Sequence, residues 1–274
     1  PGELRAQICE VMAAEGILDA RPENVVITAG SQSAQDVATK VTVANLLTHT
    51  GGTGDIFGPE FEARKTSLHN LKDYVGLYGS RALDFAPGSR SAYSNYGFIL
   101  LGRIVEDVSG LSYDDYIQRN IFDPAGMTLT GNQPESVVLP RRAVSYMGSG
   151  AQLRRADETL PLSGTGAGGG YSTVGDFNRF INGLTSHQLL RNDTLQKLID
   201  GGVRTNDGQF ARFDFGGTMA GTGPYIGHGG GAPGMSGSLH HFLKSDFTII
   251  ALANRDPGAA ESIALFAAHR LPVD

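Results

Sequence analysis

The sequence predicts an α+β fold, an antiparallel sheet with flanking helices and a helical lobe beside it. Three observations carry that expectation. Apolar or alternating runs at 225–230, 236–243 and 247–254, separated by glycine and Ser-Asp turns, read as consecutive antiparallel strands. A short β-branched run, Asn24-Val25-Val26-Ile27-Thr28, reads as a strand near the other end. Helical stripes fill the stretch between. One sheet built from both termini, with the helical lobe packed against it, satisfies all three, and the cleft between lobe and sheet is the default place for a site.

Taken in order, Leu4, Ile8, Val11 and Met12 recur at helical spacing and Gly16 stops that helix. After the 24–28 strand, Ala29-Gly30 turns the chain into a short helix that Ser31 or Ser33 can cap. Thr42 is placed to cap a helix over 43–49, and a glycine loop follows over 50–58. Leu71, Tyr74, Val75 and Tyr78 share one face of a helix expected over 67–78. Pro87-Gly88 turns the chain before Tyr93-Ser94-Asn95. Phe98, Leu101, Ile104, Val105 and Val108 then give a helical stripe that Gly110 ends. Further helices are expected over 113–120, 174–184, 194–199 and 259–271.

A chain of 274 residues fits one large domain or two intimately packed ones. Hydrophobic content of 40% with 18% charged residues is a globular balance, which excludes wholesale disorder. The net charge of −6, with no offsetting Lys/Arg cluster, argues against nucleic-acid and anionic-membrane partners and leaves a small-molecule substrate. No apolar run approaches the roughly 18 residues that span a bilayer. The first twenty residues are amphipathic and carry acids throughout, so no signal peptide is expected and the cytoplasm is the default compartment. The single cysteine, Cys9, excludes an internal disulfide and a thiolate metal cluster, and reads as a small buried residue on a helix face. Glycines concentrate at 51–58, 164–170 and 227–237, where backbone can approach a ligand.

Five segments occur in an order that carries a family likeness: VTVANLLTHTGGTGDIFG (41–58), PGSRSAYSNYGFILLG (87–102), IFDPAGMT (121–128), GAGGGYSTVGDF (166–177) and GHGGGAPGM (227–235). Together they resemble the serine β-lactamase and penicillin-binding-protein hydrolases, class C enzymes and related esterases included. The resemblance covers residues 41–274 and implies the β-lactamase/penicillin-binding-like fold. It also implies three catalytic elements. The first is Ser-x-x-Lys at a helix start, where one turn sets the lysine amine beside the serine hydroxyl. The second is Tyr-x-Asn, matched by Tyr93-Ser94-Asn95, whose tyrosine assists proton transfer and whose asparagine holds a polar group of the substrate. The third is Lys/His-Thr/Ser/Gly-Gly on an edge strand, matched by His228-Gly229-Gly230. There, backbone donors of Gly229, Gly230 and Gly231 would meet the developing oxyanion.

The first element is missing. Lys40, Lys65, Lys72, Lys197 and Lys244 are preceded at three residues by Val37, Glu62, His69, Thr194 and His241, so the chain contains no Ser-x-x-Lys. The stretch that separates that motif from the Thr-Val…Thr-His-Thr segment in the family is absent too, and 41–274 reads as a truncated hydrolase domain. Residues 1–37 instead resemble the early part of a fold-type-I pyridoxal-phosphate aminotransferase, where a Gly-x-x-x-Leu-Arg helix leads to an ITxGSQxAxD strand-turn-helix, the latter matched here by ITAGSQSAQD. That segment holds no cofactor lysine, so no pyridoxal phosphate is implied. The whole reads as a chimera in which residues 1–40 complete the fold. On a strand-turn-helix overlay Ser31 stands at the nucleophile position, but Ala34 stands where the lysine belongs. Lys40, about two and a half turns on, faces the other way.

Three functions compete. A residual serine hydrolase would use Ser31, with Tyr93 or His228 as base, on an activated carboxyl ester or β-lactam, and would need no cofactor. A metal-dependent hydrolase of phospho- or carboxyl esters would hold Zn²⁺ with His49, His228, His240, His241 and Asp55, although only one of the adjacent strand residues His240 and His241 can point inward. A pseudoenzyme would keep the cleft and bind without turnover. Apolar surface uncovered by the missing segment favours a homodimer, unless the 2–15 helix covers it.

Overall fold

The structure, a computed structural model, describes residues 41–134, 136–156 and 163–272. The 24–28 strand, the helix around Ser31 and the aminotransferase-like segment lie outside the described residues.

The helical lobe starts with α1 (Val43–Leu47). The Thr42 hydroxyl accepts from the Asn45 backbone while the Asn45 side chain accepts from the Thr42 backbone, a reciprocal cap. Three helices follow: α2 (Pro59–Arg64), α3 (Leu71–Tyr78) and α4 (Asn95–Ser109). The sequence marks no helix at 59–64, where Glu60 and Glu62 mask a single inward residue, the fully buried Phe61. Asn70 caps α3, so that helix begins four residues later than expected. Gly110 ends α4 in the left-handed conformation, as its position implied. Ile56, Phe61, Leu68, Leu71, Tyr74, Tyr78, Tyr96 and Ile99 form the lobe's buried core. Helix α5 (Tyr113–Ile117) continues through a π-helical turn, Gln118–Phe122.

The sheet comes from the last quarter of the chain. Strands β5 (Gly216–Met219), β6 (Gly223–Ile226), β7 (Gly229–Ala232), β8 (Met235–Phe242) and β9 (Phe247–Ala253) are all antiparallel, and β8 pairs with β6, β7 and β9. Two small hairpins precede it, β1 (Tyr146–Met147) with β2 (Arg154–Arg155) and β3 (Gly202–Arg204) with β4 (Phe210–Arg212). Helices cover both faces. On one face, α6 (Val174–Thr185) packs Ile181 and Leu184 on Ile226 and Leu239, and α7 (Asn192–Asp200) adds Ile199. On the other, α8 (Ala259–Ala268) lays Ala260 and Ala264 on Ala251, their small side chains allowing close approach.

The single strand expected over 225–230 is two. Gly227 breaks it at φ +130°, where an added Cβ would lie 2.0 Å from the Leu239 carbonyl oxygen, so no other residue fits. β6 and β7 therefore pair with successive parts of β8, and His228 stands at the bend between them.

Candidate active site

Tyr93-Ser94-Asn95 is set by a helix cap. The Ser94 hydroxyl accepts from the Gly97 backbone at 2.9 Å, fixing the start of α4. The same hydroxyl contacts Thr53 Oγ1 at 2.9 Å and donates to the Gly54 carbonyl, which ties the helix start to the glycine loop. Tyr93 is thereby held just before the helix and is 57% exposed. Asn95 lies in its first turn, where its amide donates to both carboxylate oxygens of Asp55, at 3.0 and 3.1 Å.

His49 sits at the end of the α1 segment with φ +55°, an uncommon backbone state for a residue other than glycine. Its ring lies 4.4 Å from that of Tyr93 and 5.1 Å from that of Phe98, centroid to centroid. The Ser94 backbone N–H donates to its Nδ1 at 3.1 Å. Its Nε2 lies 3.0 Å from Asp214 Oδ2, and His228 Nε2 meets the same oxygen at 3.0 Å. Asp214, from the turn between β4 and β5, thus joins a histidine of the helical lobe to the histidine of the β6–β7 bend.

The electrostatics follow from these contacts. Burial pushes the Asp214 carboxyl up, but hydrogen bonds from His228 and His49 outweigh it and hold the group well below the usual carboxylate range. The hydrogen bond to Asp214 lifts His228 above the ordinary histidine value against its partial burial. Tyr93 is raised by desolvation and then by the charges of Asp214 and Asp55, so it is a phenol at neutral pH. Gly229 and Gly230 pair with Ser238 and Gly237 on an edge strand, and a Cβ on Gly230 would meet nothing, so this backbone is open to a ligand.

The proposed metal set does not assemble. His240 shares the α8 side of β8 with Ser238, whose Oγ lies 3.2 Å from its Nδ1, and its ring packs on Tyr225. His241 faces the opposite way, with Nδ1 3.0 Å from Thr248 Oγ1. Burial lowers both imidazoles. Asp55 is engaged by Asn95, and His49 and His228 both direct Nε2 at Asp214. Among the described residues no group of three or more His, Cys, Asp or Glu side chains is placed to hold a metal ion. Adjacent histidines on a strand alternate between faces, and here each face supplied its own partner. Ser31 lies outside the described residues.

Sequence reasoning missed Asp214. It lies between Phe213 and Phe215 and reads as the polar position of an alternating strand, with no motif to mark it. Its adjacency to the Gly216-Gly217 strand start was the one available signal.

Comparison with known proteins agrees with this fold. A family model described as Beta-lactamase matches residues 16–272, so the match takes in part of residues 1–40. Penicillin-binding protein 4* of Bacillus subtilis (strain 168) is 28% identical over 237 residues, 79% of this chain and 52% of that protein. The putative penicillin-binding protein PbpX of the same organism is 30% identical over 220 residues, 77% of this chain and 50% of that protein. The chain thus spans about half the length of these curated relatives. The crystal structure of a penicillin binding protein from Bacillus halodurans superposes with a TM-score of 0.79 at 28% identity, covering 97% of this chain and 81% of that one. The chain belongs to the beta-lactamase family, a family of hydrolases.

Proposed function

We propose that this member of the beta-lactamase family hydrolyses an activated carboxyl ester or β-lactam in the cleft between the helical lobe and the β7 edge. The observation that carries the reading is the His49–Asp214–His228 bridge, which brings Tyr93 of the second motif and His228 of the third into one network. Asn95 offers its carbonyl and, when released by Asp55, its amide to a polar substrate group. Gly229, Gly230 and Gly231 present backbone toward the carbonyl under attack. The Ser31 hydroxyl attacks the carbonyl carbon and gives its proton to solvent water, Tyr93 protonates the leaving group and regains a proton from solvent, and a water then cleaves the acyl–Ser31 ester to release the acid and restore the hydroxyl.

The arrangement favours charge stabilisation over nucleophile activation. Tyr93 starts protonated, and the hydrogen bond to Asp214 raises His228 and so favours its protonated form, which makes the pair better donors than bases. Turnover is accordingly slow and confined to substrates with good leaving groups, whose carbonyl carbon is electrophilic enough for a weakly activated hydroxyl to attack. Hydrolysis of p-nitrophenyl acetate and of a chromogenic cephalosporin, with and without Ser31→Ala, tests this. Loss of turnover in the variant is expected. Unchanged turnover overturns the role of Ser31, and hydrolysis of neither substrate by the unaltered chain overturns the function.

A further inference from the structure

We propose that Asp214 is the positioning residue of this cleft, tying the helical lobe to the His228 bend and fixing the orientation and proton pattern of both histidines. The inference rests on the reading of the cleft as the active site only for its kinetic consequence.

Two independent contacts tie Asp214 to the lobe. Its backbone N–H donates to the Leu47 carbonyl at 3.0 Å, and its carboxylate engages His49 two residues further on. The sheet side is held by the His228 contact and by the next turn of backbone, where Gly227 donates to the Phe215 carbonyl at 3.0 Å. One residue therefore sets the spacing between the loop that carries Tyr93 and the strand that offers Gly229 and Gly230.

The hydrogen bonds also select a form for each ring. His49 Nδ1 accepts the Ser94 N–H, so that nitrogen carries no proton and the single ring proton sits on Nε2, directed at Asp214. His49 is thus a neutral donor, and the full charge of Asp214 is left for His228. The groups that bear on His228 are Asp214 from the β4–β5 turn, the Gly229 backbone, and His240 from β8, whose own imidazole is lowered by burial and by the charge on His228. With only one carboxylate among them, the charge state of His228 depends on Asp214.

The test is an NMR titration of the histidine ring nitrogens in the full chain, with His228→Gln and His49→Gln supplying the assignments. In the unaltered protein His228 should titrate above the ordinary histidine value of about 6.5, and His49 should show an unprotonated Nδ1. In Asp214→Asn the His228 midpoint should fall to about 6.5 or below, and Asp214→Glu should restore part of the rise. An unchanged His228 midpoint in Asp214→Asn, or a protonated Nδ1 on His49 at neutral pH, overturns the proposal. If Asp214→Asn does not fold, the nitrogen shifts of the unaltered protein decide alone. Ester turnover by Asp214→Asn should fall, with its alkaline limb displaced to lower pH. Absence of turnover in the unaltered chain would refute the proposed function and leave the titration to judge Asp214.

Discussion

Replacing Gly227 with alanine probes how the fold delivers the site. The residue stands at φ +130°, and its added Cβ would lie 2.0 Å from the Leu239 carbonyl oxygen and 2.8 Å from the carbonyl carbon. These are backbone atoms of the central strand, so no side-chain rotation relieves the contact. The bend must open, which costs the hydrogen bonds from Gly227 to Phe215 and from Leu239 to His228, both 3.0 Å. Each is worth about 1 kcal/mol net. Backbone strain in a region reserved for glycine contributes about 1–3 kcal/mol more, and the expected loss is about 3–5 kcal/mol. Urea unfolding measures it as a lower midpoint at unchanged slope. Gly230→Ala is the control: nothing lies within 4 Å of its Cβ, and its loss should stay below about 1 kcal/mol. A Gly227→Ala protein within about 1 kcal/mol of the unaltered one would refute the claim that this glycine shapes the bend.

Two further predictions follow from the same contacts. Ser94→Ala removes the α4 cap and the ties to Thr53 and Gly54, and should cost about 1–2 kcal/mol in thermal unfolding while lowering ester turnover through misplaced Tyr93 and Asn95; unchanged stability and turnover would show that the cap positions nothing. The Asp214–His228 pair makes stability pH-dependent at both ends. Asp214 is depressed in the folded state, so its contribution is present above the unfolded carboxylate value of about 3.9 and is lost as pH falls through the folded one. His228 is raised, so its contribution is full below about 6.5 and disappears as pH climbs through its folded value. Half exposure of the His228 side chain keeps the effect small. Unfolding temperatures from pH 4 to pH 9 should peak between about 4 and 6.5, and His228→Gln should remove the alkaline decline; a decline of equal size in that variant contradicts the assignment.

The parts legible in the sequence are those where one local signal dominates. The stripe Phe98 to Val108 with Gly110 after it gives the body and the end of helix α4, because stripe and stop agree, while its start at Asn95 behind the Ser94 cap lies three residues ahead of the stripe. Strands β8 and β9 were equally readable, as apolar runs bounded by turns. The β3–β4 hairpin was not, since Gly202-Val203-Arg204 and Phe210-Ala211-Arg212 are too short to show a period. Nor was the break at Gly227, because a glycine inside an apolar run can be a bulge, a bend or an ordinary strand position until its neighbour is known. Tyr93, Asn95 and His228 could be named from motifs. Their partners Asp55 and Asp214 lie 40 and 14 residues away, Asp55 from Asn95 and Asp214 from His228, and meet them only through the fold. The zinc set failed for a related reason: five residues of types suited to a metal were visible, but convergence depends on which way each strand and loop turns.

The central claim is that Tyr93, joined through His49 and Asp214 to His228, serves hydrolysis in this cleft. Steady-state hydrolysis of phenyl acetate, whose more basic phenolate leaves with the help of a proton, by Tyr93→Phe tests it most directly, because the change removes one hydroxyl and leaves the ring contact with His49 in place. Loss of the proton donor should lower kcat by about 10²–10⁴-fold with little change in KM. A Tyr93→Phe protein that turns over at the unaltered rate would contradict the account.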